Sequence, residues 1–335
     1  MIGQIFKIHS DFYYVNTDNG IIECKLREVL KKAKKEVIVG DYVQIDNYSK
    51  NNSLNFISEI LERKNYLLRP KVSNVSQSII VTAVKNPDIN FEQLDRFIAL
   101  SEYNKIKPIL CFNKCDLDGA DIVIDKVNEI YLSLGYDVYF ISALYKKGID
   151  KFFEILKDNI SIFYGSSGVG KSSIVNLLSS SLNLKIQKVS DKNQRGIHTT
   201  RHCEIYSIAD NVSVVDTPGF SNIKFDFLMP KDIEKLFREF NINDFQCKFS
   251  DCLHINEFDC GVLSNEGFFS QSRRNSYEKF VEEAKIYKEK VKNSGNKTES
   301  AVKYNQGKNI TKISDVRRTL SRKVQKQNIS EEYND

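Results

Sequence analysis

The chain has 335 residues, 41% of them hydrophobic and 28% charged, with a formal net charge of +5. That length supports two or three domains, each with its own core. No run of about 18 uncharged apolar residues occurs, which excludes a transmembrane helix. Met1 to Phe6 lacks the regions of a signal peptide, so a cytoplasmic location is expected; the chain is also expected to be a monomer.

Residues 1–68 read as short strands. Phe12 to Val15 and Ile21 to Cys24 flank the hairpin signal Thr17-Asp18-Asn19-Gly20. Val37 to Ile45 reads as two strands about a Gly40-Asp41 turn, and Phe56 to Ile60 as another. About five strands in so short a span suit a small closed barrel, of which the OB-fold is the commonest solution. Such a barrel either binds RNA or serves as a packing module. The cluster Lys31-Lys32-Ala33-Lys34-Lys35 favours RNA.

Arg69 to Asn74 reads as a linker. From 72 to 224, strands and helices alternate. The strands are Ser78–Ala83, Pro108–Phe112, Val138–Ile141, Ser161–Tyr164 and Val212–Val215. Phe91 to Tyr103 places Leu94, Phe97 and Ile98 on one helical face. Near-continuous apolar strands separated by helices predict a mostly parallel sheet covered on both faces.

Two motifs in this region stand in an unusual order. Asn113-Lys114-Cys115-Asp116 ends a strand and reads as a guanine-recognition signature. An Asp116 carboxylate can accept from guanine N1–H and N2–H₂, donors that adenine lacks. Asn113 can meet the ring edge and brace the phosphate loop, and the Lys114 stem can lie along the base. Ser142-Ala143, after the next strand, offers an Ala143 N–H to guanine O6. The phosphate loop comes later, as Gly165-Ser166-Ser167-Gly168-Val169-Gly170-Lys171-Ser172, followed by Ser173 on a helical pattern. Its backbone N–H groups can cradle phosphate, Lys171 can meet the β- and γ-phosphates, and Ser172 can ligate Mg²⁺.

Asp216-Thr217-Pro218-Gly219 follows a further strand. Asp216 there would hold the Mg²⁺ shell and the Gly219 N–H would sense the γ-phosphate. Between the two motifs, Gly196-Ile197-His198-Thr199-Thr200 reads as a switch segment in which Thr199 or Thr200 completes the Mg²⁺ shell. Phe220 stands where Ras-like enzymes place a water-orienting glutamine, and it can neither donate nor accept a hydrogen bond. His198 is then either catalytic or a packing residue. In a parallel sheet the loops at strand carboxyl ends meet at one crevice, so the inverted order predicts a circularly permuted GTPase domain with an intact site.

Residues 225–290 read as helical, with Cys247, Cys252, His254 and Cys260 in the middle. Three thiolates and one imidazole suit a closed structural Zn²⁺ site. Cys24, Cys111, Cys115 and Cys203 read as ordinary small residues. Residues 291–335 form a basic tail, either solvated or RNA-contacting.

Together these motifs resemble the RsgA/YjeQ family of small ribosomal subunit biogenesis GTPases. The likeness rests on Gly40-Asp41, Leu94-Asp95-Arg96, Asn113 to Asp116, Ser142-Ala143 and Gly165 to Ser173. It continues through His198-Thr199-Thr200-Arg201-His202, Asp216 to Phe220 and the Cys/Cys/His/Cys cluster. It covers the chain to about residue 290. The resemblance implies an OB-fold, a circularly permuted GTPase domain and a C-terminal zinc domain. It also implies GTP hydrolysis stimulated by the small ribosomal subunit, late maturation of that subunit and its rRNA as partner, and a catalytic switch histidine matching His198. Two other functions compete on the residues alone. One is an RNA-binding assembly factor whose nucleotide only fixes conformation, which Phe220 motivates. The other is an ATPase or an unrelated nucleotide-dependent enzyme, which the base preference set by Asp116 tests.

Overall fold

The structure is a computed structural model. It describes residues 1–33, 36–47, 55–68, 70–180, 203–209, 211–215 and 223–299. Two compact units make up the chain, Met1–Ser221 and Asn222–Asp335. Among the described residues no helix is long and apolar enough to cross a membrane.

The first unit opens with a closed barrel in the order β1-β2-β3-β5-β4. Its strands are β1 (Ile2–His9), β2 (Phe12–Thr17), β3 (Gly20–Leu26), β4 (Tyr42–Asn47) and β5 (Asn55–Ile60), with the short helix α1 (Glu28–Lys32) after β3. The hairpin signal turns as expected, and β2 pairs with β3 so that Thr17 faces Gly20. Alternate residues fill the barrel, among them Ile5, Val15, Val43, Ile45 and Ile57. Lys34 and Lys35 of the basic cluster lie outside the described residues.

The segment expected to be a linker is a built joint. β6 (Tyr66–Leu67) and β7 (Val72–Ser73) pair antiparallel, and Ser73 and Asn74 are buried. Both are polar, as linker residues commonly are. They are buried because they serve the barrel. The Ser73 hydroxyl donates to Asp41 Oδ1 at 2.6 Å. Arg63 donates to both carboxylate oxygens, at 2.7 and 2.9 Å, and the Ile38 N–H donates to Oδ2 at 2.9 Å. Asp41 is fully buried, so these donors replace the water it has lost. Gly40 takes φ +93°, and a Cβ there would stand 2.0 Å from Ser73 O. Gly40 O in turn accepts from Gln4 Nε2 at 3.0 Å and Asn74 Nδ2 at 2.9 Å. Gly40-Asp41 is thus the seam between barrel and sheet.

The six-stranded sheet runs β10-β9-β8-β11-β13-β12. Its strands are β8 (Gln77–Ala83), β9 (Lys107–Asn113), β10 (Asp137–Phe140), β11 (Asn159–Tyr164), β12 (Ile205–Ala209) and β13 (Val212–Val215). All neighbours are parallel except β12 and β13. Helices α2 (Phe91–Tyr103), α3 (Ala120–Val127), α4 (Ile149–Glu154) and α5 (Lys171–Ser180) connect them. Apolar residues of β8, β9 and β11 form one core with Phe152, Leu156, Ile174 and Leu178.

Helix α2 starts where Asn90 Oδ1 accepts from the Gln93 N–H at 3.0 Å. Its buried surface is wider than the apolar stripe, because Asp95 and Arg96 are buried too. Tyr131 OH donates to Asp95 Oδ1 at 2.8 Å. Strand β12 does not show in the sequence pattern because a register shift between Ser207 and Ala209 breaks its alternation, and Ile205 and Ile208, three apart, are both buried. Where barrel meets this edge strand, Lys7 pairs with Glu204 through a backbone bridge and a 3.0 Å ion pair.

In the second unit a 3₁₀ helix (Pro230–Leu236) and α6 (Glu239–Ile242) precede an irregular loop and the long helix α7 (Gln271–Glu299). The tail expected from 291 therefore begins inside α7. The reason is periodicity: Tyr277, Phe280, Val281, Ala284, Tyr287 and Val291 are all buried along it. Arg273 and Glu239, both buried, pair through two bonds of 2.7 and 2.9 Å. Residues 300–335 lie outside the described residues.

Removing the seam's cation leaves a buried carboxylate short of its strongest donors. Arg63→Met is expected to cost about 3 kcal/mol, read as a lower urea midpoint with unchanged m-value.

Candidate functional site

The parallel sheet brings the carboxyl ends of β9, β10 and β11 to one edge, and the three sequence motifs described there lie on it. Asn113 is the last residue of β9 and is buried. Its carboxamide faces two loops at once. Nδ2 donates to Val169 O in the phosphate loop at 2.9 Å, and Oδ1 accepts from the Ala143 N–H at 3.0 Å. Gly170 sits so close that a Cβ on it would stand 2.3 Å from Asn113 Nδ2, and its φ is +99°. Lys114, at φ +66°, donates Nζ to Gly168 O at 2.9 Å and also to Asn86 O. The ammonium end of Lys114 thus braces the phosphate loop while its stem stays free to flank a planar ligand.

Ala143 was expected to offer its N–H to a guanine oxygen. The structure commits that N–H to Asn113 Oδ1, so a base contact would have to share it. Ser142 is buried and exchanges two backbone bonds with Lys147, at 3.0 and 3.1 Å. Its hydroxyl accepts from the Tyr145 N–H at 3.2 Å. Cys115 is half-buried, burial pushes its thiol up to about 11, and its Sγ lies 3.2 Å from Phe112 O. Asp116 follows it at the partly exposed rim.

The phosphate loop leaves β11 and enters α5. Ser167, Gly168, Ser172 and Ser173 are exposed, whereas Gly165 and Val169 are buried. Lys171 is half-buried, and burial lowers its pKa. Its ammonium donates to Gly165 O at 2.6 Å and Ser166 O at 2.7 Å. Such a cation, over a helix N-terminus, suits a polyphosphate. Ser166 turns its hydroxyl away to Gln93 Oε1 at 2.7 Å. Gln93 lies on α2, and nothing in its local sequence marked it as a support for the loop. His198, Thr199, Thr200, Asp216, Gly219 and Phe220 lie outside the described residues.

In the second unit Cys247, Cys252, His254 and Cys260 converge, their donor atoms all within 4.8 Å of one another. His254 Nδ1 lies 3.5, 3.5 and 3.3 Å from the sulfurs of Cys247, Cys252 and Cys260. Cys247 and Cys260 are 3.8 Å apart. A tetrahedral zinc with ordinary bond lengths sets sulfur–nitrogen and sulfur–sulfur spacings of roughly 3.5 and 3.8 Å. The cluster therefore fits that ion.

The opposite nitrogen of the ring, Nε2, is buried and faces Glu234 Oε2 at 3.4 Å. Burial alone would raise the Glu234 carboxyl, but His254 and Lys231 outweigh it and hold its pKa low. Lys231 reaches the same carboxylate at 2.6 Å and also donates to Cys252 O at 3.1 Å. Glu257 accepts from the N–H groups of Leu253, Ile255 and Asn256, which fixes the turn that carries His254. Phe240 and Phe245 pack against the ring.

With this geometry in view, comparison with known proteins decides the family. Residues 60–226 match the model described as RsgA GTPase, and residues 2–54 match the RsgA N-terminal domain. The chain belongs to the RsgA GTPase family. It is therefore a GTP-hydrolysing enzyme. It is 41% identical over 286 residues to the "Small ribosomal subunit biogenesis GTPase RsgA" of Caldanaerobacter subterraneus subsp. tengcongensis, covering 84% of this chain and 95% of that one. The protein of the same description from Clostridium botulinum strain Hall is 39% identical over 287 residues, with 84% and 97% covered. Among solved structures, YjeQ from Thermotoga maritima superposes with a TM-score of 0.72 at 32% identity, covering 84% of this chain and 98% of that one. YloQ, described as a circularly permuted GTPase, gives 0.70 at 32% identity, with 85% and 94% covered.

Two outcomes follow from the geometry. Asn113→Ala removes both braces, and GTP binding is expected to weaken by about tenfold or more, measured by titration with a fluorescent GTP analogue. Glu234→Gln, which loses the charge behind His254, is expected to lower zinc affinity by about 10- to 100-fold in a chelator competition.

Proposed function

We propose that this family member is a Mg²⁺-dependent GTPase that docks on the small ribosomal subunit, assists its late maturation, and leaves after hydrolysing GTP to GDP and phosphate. The observation that carries the reading is the Asn113 carboxamide, which joins the loop suited to a base to the loop suited to phosphates. The relatives' shared role in small ribosomal subunit biogenesis supports the choice of partner.

In this reading Asp116 selects guanine by accepting from its N1–H and N2–H₂. Gly165 to Ser173 hold the phosphates, with Lys171 moving from the Gly165 and Ser166 carbonyls to the β- and γ-phosphates. Ser172 and Asp216, with Thr199 or Thr200, hold Mg²⁺, which neutralises the charge that develops on the phosphates. The Gly219 N–H senses the γ-phosphate, and His198 acts in hydrolysis. The Cys/Cys/His/Cys cluster holds one structural Zn²⁺ that fixes its loop. The barrel, residues 1–68, contacts rRNA ahead of the GTPase domain at 72–224 and the zinc domain at 225–290.

Phe220 favours a second reading, in which nucleotide only sets conformation and the chain acts as an RNA-binding assembly factor. Single-turnover measurement on the subunit separates the two, since intact GTP released from the complex supports the second.

The test is steady-state GTP turnover with and without purified small subunits. A stimulation of at least about tenfold is expected, since Phe220 stands where a water-orienting glutamine would and cannot hydrogen-bond. Equal rates would remove subunit-stimulated hydrolysis from the function.

A further inference from the structure

The metal loop carries two phenylalanines that its core does not use. Phe249 comes two residues after Cys247 and Phe258 two residues before Cys260, and they are 52% and 81% exposed. The flanks that bear them run side by side. Lys248 N–H donates to Asp259 O at 3.2 Å, and Lys248 Nζ reaches Asp259 Oδ2 at 3.1 Å. The same ammonium lies 5.7 Å from the Phe249 ring centroid. Phe240, Phe245 and Phe268 of the same unit instead pack on His254 or on one another. Single exposed apolar residues are commonplace, but two large rings held on adjacent flanks of a cross-linked loop form a presented surface. Because the ligands fix both flanks, little conformational freedom is lost when the rings are covered.

Charge decides what covers them. Across residues 244–260 the carboxylates are Asp244, Asp251, Glu257 and Asp259, against Lys248 alone. An acidic rim repels phosphate and attracts cations, so it opposes a nucleic-acid strand and suits a protein with a basic, partly apolar face. Proteins seated on RNA carry such excess cationic charge.

We propose that the zinc loop docks through Phe249 and Phe258 onto a basic protein surface of the small ribosomal subunit rather than onto its RNA; this rests on the subunit docking proposed above.

The experiment is co-sedimentation of the full chain with purified small subunits in a non-hydrolysable GTP analogue. Wild-type chain that fails to co-sediment removes the subunit docking itself, and this contact with it. Given wild-type binding, the double variant Phe249→Ser, Phe258→Ser is expected to bind about tenfold more weakly or worse. Its zinc content, Tm and GTP affinity should stay at wild-type values. Unchanged co-sedimentation overturns the contact, and so does lost zinc or a lowered Tm, which would make the rings part of this chain's own core. Asp251→Lys, an exposed change on the same loop, is expected to weaken binding as well. Tighter binding by that variant would point to RNA and overturn the choice of partner.

Discussion

One carboxamide ties the nucleotide end of the first unit together. Asn113 has a donor and an acceptor on the same planar group, and the end of β9 aims them in opposite senses, at Val169 O and at the Ala143 N–H. The phosphate loop and the loop after β10 are separated by two strands of the sheet, so neither can hold the other directly. Their spacing is set by the width of a side chain rather than by loop stiffness. Gly170 belongs to the same constraint, because any larger residue would occupy the space of that carboxamide. Lys114 adds a second strut from the same strand end.

This arrangement explains why an inverted motif order leaves the site whole. Parallel strands deliver their loops to one edge whatever the order in which the chain visits them. β11, which carries the phosphate loop, is flanked by β8, met earlier in the chain, and by β13, met later. What changes with the permutation is which strand is last. Here it is β13, so the chain passes from the end of that strand into the second unit within a few residues.

Much of this was legible in the residues, for physical reasons. The inner strands β8, β9 and β11 are largely buried and read as near-continuous apolar runs. The P-loop and the Asn113 to Asp116 signature announce themselves because phosphate and purine edges demand fixed residue types at fixed spacing. The Cys/His cluster is compact enough to be read from spacing alone. What stayed hidden depends on partners far away in sequence. Ser73 and Asn74 look like loop residues until Asp41 and Gly40 O are placed beside them. Glu234 and Gln93 look like ordinary helix-face residues until His254 and Ser166 arrive. Strand β12 hid for a different reason, since its bulge erases the two-residue period by which strands are recognised.

The pairing of Lys7 with Glu204 has a meaning beyond the joint it makes. β12 is an outer strand of the sheet, and outer strands expose backbone groups that can recruit strands from other molecules. This one is short, carries a bulge, and has barrel strand β1 laid against it at Glu204. On the far side, β10 is only four residues long. The barrel thus occupies the start of this edge strand, so one contact that joins barrel to sheet also takes up a place where a foreign strand could begin to pair.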